Sequence, residues 1–202
     1  MEGHVRVCVL GGSGGLGSRI ASEFNVSATG LDEQLQDECD GIVLVVGADP
    51  APNSRPLIDT IEAEWRAAAE TAPLRVMRAL QRARTATLSK CGNIVVVAPS
   101  VGLIGAEGLS PYVTGIEAIR TMAKSAARQW AADRISVSLI AVPLGLIVSD
   151  AGDLVPHVGR GARKDADLVD AVVRAVHFLL SGAGPALTGS TLVVDGGAVM
   201  VP

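Results

Sequence analysis

The stretch from Val5 to Gly17, VRVCVLGGSGGLG, limits the possible folds of this chain more than any other. The alternating valines, Cys8 and Leu10 read as a buried strand, in the manner of a central parallel strand. Gly11, Gly15 and Gly17 then free the backbone to turn tightly and to approach a ligand. Residues Gly15 to Phe24 can form a helix whose unpaired N–H groups and positive dipole end face that turn. Strand, glycine turn and helix N-terminus in this order predict a dinucleotide pyrophosphate site. Glycine turns of this kind also arise from packing alone, so the rest of the chain has to arbitrate.

Taken in order, the chain alternates strands and helices. NVSATG reads as one short strand and turn, LDEQLQDEC as a short acidic helix with Asp32 near its start, and IVLVVGAD as the next buried strand. The interval from Leu10 to Ile42 has room for one full helix and one abbreviated unit. Leu57 to Arg84 shows helical spacing of Ile58, Ile61, Trp65, Leu74, Met77 and Leu80, with Pro73 expected to kink or split it. NIVVVAPS is a third apolar strand, and a glycine-rich loop leads from it to Pro111 and a helix from Tyr112 to Ala132. RISVSLIAV is a fourth strand, stopped at Pro143; a loop from Leu144 to Arg163, the helix DADLVDAVVRAVHFLLS and the terminal strand LTGSTLVVDGG complete the chain. This alternation predicts an α/β fold over residues 1–202 as a single domain, a Rossmann-like doubly wound parallel sheet with helices on both faces and an abbreviated first nucleotide-binding half.

Composition narrows the function. A net charge of -4, with no long Lys/Arg run and only 2% aromatic residues, argues against nucleic acid as a partner. No stretch is apolar enough to span a membrane and no leader pattern precedes the first strand, so a cytoplasmic protein is expected. Cys8, Cys39 and Cys91 are odd in number and scattered, and read as buried thiols in a reducing compartment; no spacing suggests a metal. The three histidines read as structural or solvated, the arginines at 75/78 and 82/84 as a solvated helix face, Asp195 as the organiser of a turn, and Trp65 and Trp130 as core or subunit contacts.

Three motifs resemble the short-chain dehydrogenase/reductase (SDR) family. Gly11-x-x-x-Gly15-x-Gly17 has that family's GxxxGxG spacing, NIVVVAPS followed by Tyr112 resembles its catalytic serine strand and tyrosine, and LTGSTLVVDGG resembles its C-terminal signature. The resemblance implies binding of NAD(P)(H) by Gly11, Ser13, Gly15, Leu16 and Gly17, by Gly47 in the small-residue turn after the next strand, and by Pro143. It implies that Ser100 holds a substrate oxygen while Tyr112 acts as acid or base. The family's lysine, one helical turn after the tyrosine, is here Ile116, and its helix asparagine is Ala72. A tyrosine near its reference pKa of about 10 is a poor base at neutral pH without that lysine's charge. The residues that would carry the second strand, and with it the reader of the adenosine ribose, are missing between Phe24 and Asn25.

Two readings follow. One is a catalytically impaired subunit of a homo-oligomer, or of a hetero-oligomer with an intact paralogue, assembled through the helices of residues 57–84 and 112–132. The other is an active NAD(P)-dependent oxidoreductase that reduces a carbonyl or oxidises a hydroxyl with Ser100 and Tyr112, with Arg120 as a stand-in for the lysine. A nucleotide-binding module without chemistry is a weaker third. The combined losses at Ala72, Ile116 and the second strand favour the subunit, and the substrate is not legible.

Overall fold

The computed structural model describes residues 6–12, 15–35, 38–149, 151, 154, 161–162 and 167–200. Its strands are β1 (Val7–Leu10), β2 (Ala28–Thr29), β3 (Gly41–Val45), β4 (Asn93–Pro99), β5 (Ser136–Val142) and β6 (Thr191–Val193). They form one six-stranded sheet in the order β2-β1-β3-β4-β5-β6, and every pairing is parallel. All residues of β3 and β5 are buried, which is why those segments carry no polar face in the sequence.

Helices cover both faces. Alternate residues of the strands feed two cores. Leu10, Ile42, Leu44, Ile94, Val96 and Leu139 pack toward α3 (Ala72–Thr87) and α4 (Ser110–Trp130). Val9, Val43, Val95, Val97 and Ile140 pack toward α1 (Leu16–Glu23) and α5 (Leu168–Leu180). Leu44, with no exposed surface, shows the scale: truncation of such a side chain to alanine costs roughly 2–5 kcal/mol. Asp167 caps α5 by accepting from Asp170 N, and the Asp195 carboxylate accepts from the N–H groups of Gly197, Ala198 and Val199, which fixes the expected turn after β6.

Four expectations need correction. The second strand is not missing: NVSATG supplies β2, two residues long, with Leu10 opposite Thr29. No helix forms in the described residues of 31–40. Leu31 and Leu35 pack on the core instead, and a nine-residue helix has little stability of its own to set against that burial. Cys8 and Cys39 are joined as a disulfide, with Cα atoms 6.6 Å apart, and Cys91 is free. The parallel pairing of β1 with β3 brings together two cysteines that look scattered in sequence. The arginines of α3 are not simply solvated either: Arg75 and Arg84 pair with carboxylates, and Arg82 donates to Leu31 O.

The long helix of residues 57–84 is divided as its proline suggests. A 3-10 turn (Leu57–Asp59) and α2 (Glu62–Trp65) lead into a π-helical segment (Arg66–Thr71) that runs on into α3. Pro73 lacks the N–H that would bond Ala69 O and its ring crowds that carbonyl, and the widened turn accommodates both. Among the described residues no helix is long and apolar enough to cross a membrane.

Candidate cofactor and catalytic site

The strand order reverses at β1: the chain steps outward to β2 and then returns to β3 on the other side. In open parallel sheets, ligands bind beyond the carboxyl ends of the strands at such a reversal. The glycine turn sits there. A Cβ on Gly17 would lie 2.3 Å from Gly12 O and 2.5 Å from Gly11 O, so only glycine lets α1 start this close to the end of β1. Gly15 is the N-cap of α1, has open space above it, and supplies no side-chain cap. Leu16 follows as the first, buried residue of the helix. The first turn holds no acidic residue, so its N–H groups and dipole end are left for an anion. Ser13 lies outside the described residues.

The adenosine side of the crevice is different. Gly11 N donates to Thr29 O, and the Leu31 side chain comes within 3.2 Å of where a Gly11 Cβ would stand. Asp32 follows, and Arg75 on α3 ties its carboxylate to that of Asp49, at 2.8 Å and 2.5 Å respectively. Hydrogen bonding to Arg75 holds the Asp32 carboxyl below the usual range, and Asp32 in turn raises the guanidinium. An Asp32–Arg75–Asp49 bridge thus spans the ends of β2 and β3. Nothing local in the sequence marks it, because its members lie up to 43 residues apart.

The side that carries Tyr112 is tightly packed. Gly115 of α4 lies directly against the Ala68 carbonyl, since a Cβ there would be 2.1 Å away. This close crossing sets Tyr112 and Ile116 opposite Ala72, and all three line one cavity with Gly47, Asp49 and Arg75. The cavity is about 20 Å³, room for about one water. Tyr112 is buried and its hydroxyl donates to Gly47 O at 2.6 Å. Burial pushes the phenol above its ordinary pKa, away from the ionised form a base needs. Gly47 has φ 99, and a Cβ on it would meet both Pro99 and the Tyr112 hydroxyl at 2.9 Å, so the residue is tied to this arrangement. Ile116 is buried in the same apolar cluster.

Ser100 begins a 3-10 turn after β4 and is buried, yet it does not line the cavity that Tyr112 shares with Ile116. Pro143 ends β5 and enters a second 3-10 turn, Leu144–Leu146. Arg120 is bonded to Glu117 rather than turned toward Tyr112. His177 rests against the Phe24 ring at 4.5 Å, near Glu23. Among the described residues no group of His, Cys, Asp and Glu is arranged to hold a metal.

These residues suit a nicotinamide dinucleotide only in part. The α1 N-terminus fits a pyrophosphate, whereas the cavity of about 20 Å³ beside Tyr112 is small and Ile116 brings no donor to it.

A family model described as enoyl-(acyl carrier protein) reductase matches residues 22–199. The chain is 37% identical over 131 residues to an uncharacterized short-chain type dehydrogenase/reductase, y4vI, of Sinorhizobium fredii; the match covers 58% of this chain but only 23% of that protein. It is 27% identical over 203 residues to the 3-oxoacyl-(acyl-carrier-protein) reductase FabG of Salmonella typhimurium, with 94% of this chain and 80% of that one covered. In fold it is similar to the acetoin dehydrogenase YohF of Salmonella typhimurium, with a TM-score of 0.72 at 17% identity and 98% of both chains covered. From the match over residues 22–199 and a parallel sheet whose order reverses at the glycine turn, the chain belongs to the short-chain dehydrogenase/reductase family of oxidoreductases.

Proposed function

We propose that this chain is a catalytically impaired SDR subunit that acts within an oligomer, as a homo-oligomer or beside an intact paralogue. The observation that carries this reading is the Tyr112 hydroxyl, which is spent on Gly47 O with Ile116, not a cation, one turn further on. An acid or base must reach the oxygen it protonates, and this one is bonded inward. Support for assembly comes from the outer faces of α3 and α4. A groove of about 560 Å³ runs between them, with Met77, Leu80, Met122 and Trp130 in its walls, and Leu74 and Leu88 stand exposed nearby on the same helix and its end. A second copy or a paralogue would bury this surface by helix packing.

The test is calorimetric titration with NADH and then NADPH, followed by turnover assays with an acetoacetyl thioester and acetoin, substrates suggested by the names of the relatives. The expected result is no turnover, and native mass spectrometry that shows an oligomer. Turnover that disappears in Tyr112→Phe would overturn the reading in favour of the active oxidoreductase with Ser100 and Tyr112. A stable monomer without turnover would remove its oligomeric half. The uncapped α1 N-terminus favours one second reading, a cofactor-binding module without chemistry. Micromolar cofactor affinity with no reaction would select it.

A further inference from the structure

The connection from β2 to β3 passes over the α3 side of the sheet, since Arg82 donates to Leu31 O and Cys39 N donates to Ala86 O. A parallel crossover ordinarily lays a helix on that face, and here the described residues of the connection form none. Between the connection and α3 runs a groove of about 340 Å³, lined by Gln34, Arg78, Gln81, Arg82 and Thr85 among others. We propose that this groove is an anion site that takes a phosphate group of a small molecule between Arg78 and Arg82.

The charge balance along α3 points there. Arg75 is neutralised by Asp32 and Asp49, and Arg84 by Asp133. Arg78 and Arg82 have no ion-pair partner among the described residues, in a chain whose net charge is -4. Their spacing of one helical turn puts both on one face, with Cβ atoms about 5–6 Å apart. Arg82 is half-buried, its bonded acceptor is the neutral Leu31 carbonyl, and its Nε is buried with no partner. Two like charges side by side, one of them partly desolvated, are unfavourable until an anion joins them. Guanidinium forks match phosphate geometry, and Gln34, Gln81 and Thr85 add neutral donors around it. Asp32 opposes this, because its charge acts on Arg78 and Arg82 as well as on Arg75. The affinity is therefore modest, in the tenths of millimolar to millimolar range.

The site is separate from the glycine turn, and the experiment is built on that separation. The probes are inorganic pyrophosphate and ADP, titrated calorimetrically into the full chain. Arg78→Gln and Gln81→Glu, both at exposed positions, each weaken pyrophosphate binding about tenfold, with circular dichroism and melting unchanged. Ser18→Glu, which sets a carboxylate in the exposed first turn of α1, leaves it as it was. If ADP affinity falls in Arg78→Gln as much as that of pyrophosphate, the phosphate arrives on a nucleotide; if only pyrophosphate is affected, it arrives free. No binding of either probe up to about 10 mM overturns the proposal. So does affinity lost in Ser18→Glu and kept in Arg78→Gln.

Discussion

Tyr112→Phe separates a buried latch from a poised acid. The substitution removes one oxygen and leaves Gly47 O without its 2.6 Å donor, inside a site that is nearly closed to solvent. An unpaired buried carbonyl costs about 1–3 kcal/mol. The neighbouring cavity of about 20 Å³, enlarged by the lost hydroxyl, has room for a water that restores part of the bond. The lower half of that range then applies, about 1–2 kcal/mol, which for a chain of this size lowers the melting temperature by roughly 2–8 °C. The assay is differential scanning calorimetry of the two proteins at pH 7, with urea unfolding as a second measure. A tyrosine held ready for substrate in an open cleft makes no such bond, and its loss leaves stability level or improved. A Tyr112→Phe melting temperature within about 1 °C of the parent would therefore refute the latch and restore Tyr112 to the list of catalytic candidates.

The same phenol sets an alkaline limit. Its folded pKa is raised by burial above the unfolded value of about 10, so the stability it contributes is complete below pH 10 and falls as the pH rises past it. Tyr112 is the only tyrosine, so tyrosinate absorbance reports it alone, and titration at the ordinary value in the folded protein would contradict the burial. Asp195→Ala strands three N–H groups, of Gly197, Ala198 and Val199, and should lower stability by about 2–4 kcal/mol in urea, with Asp195→Asn recovering part. Unfolded without reductant, the chain should expose one thiol to a thiol reagent, that of Cys91, and three after reduction; three at the outset would show that Cys8 and Cys39 are not joined.

The parallel sheet was legible because its strands are buried on both faces and therefore read as continuous apolar runs, IVLVV, NIVVVAP and SVSLIAV among them. Glycine positions were legible for a similar reason, since a clash such as that of a Gly17 Cβ with Gly12 O admits no other residue. Ala72 and Ile116, which motif spacing aligns with the family's asparagine and lysine, both line the cavity beside Tyr112. What could not be read was long-range. The Asp32–Arg75–Asp49 bridge joins three segments, and nothing in the sequence near Arg75 distinguishes it from Arg78, which has no ion pair among the described residues. NVSATG was legible as a short strand, but its place on the edge of β1 is a matter of pairing that no local pattern shows. Cys8 and Cys39 looked unrelated for the same reason: their proximity is a product of sheet register.

The helix-free connection and Ile116 meet at one cavity, which Leu31 and Ile116 both line. Because the chain returns from β2 to β3 without a helix, Leu31 and Asp32 come to rest beside α3, and Arg75 draws Asp32 and Asp49 together across the crevice. Asp49 is the acid that lines the cavity of Tyr112 and Ile116, and its charge is already answered by Arg75. An ammonium in place of Ile116 would sit beside Ala72, Val76, Gly115 and Ile119, and Asp49, the carboxylate of that cavity, is already paired with Arg75. Desolvation would drive its pKa down, so it would shed the charge that is meant to lower the phenol's. Isoleucine there removes that cost and adds to the core. Under the proposed reading, a lysine at this position would gain Asp49 as a full partner only if the Asp32–Arg75–Asp49 bridge opened.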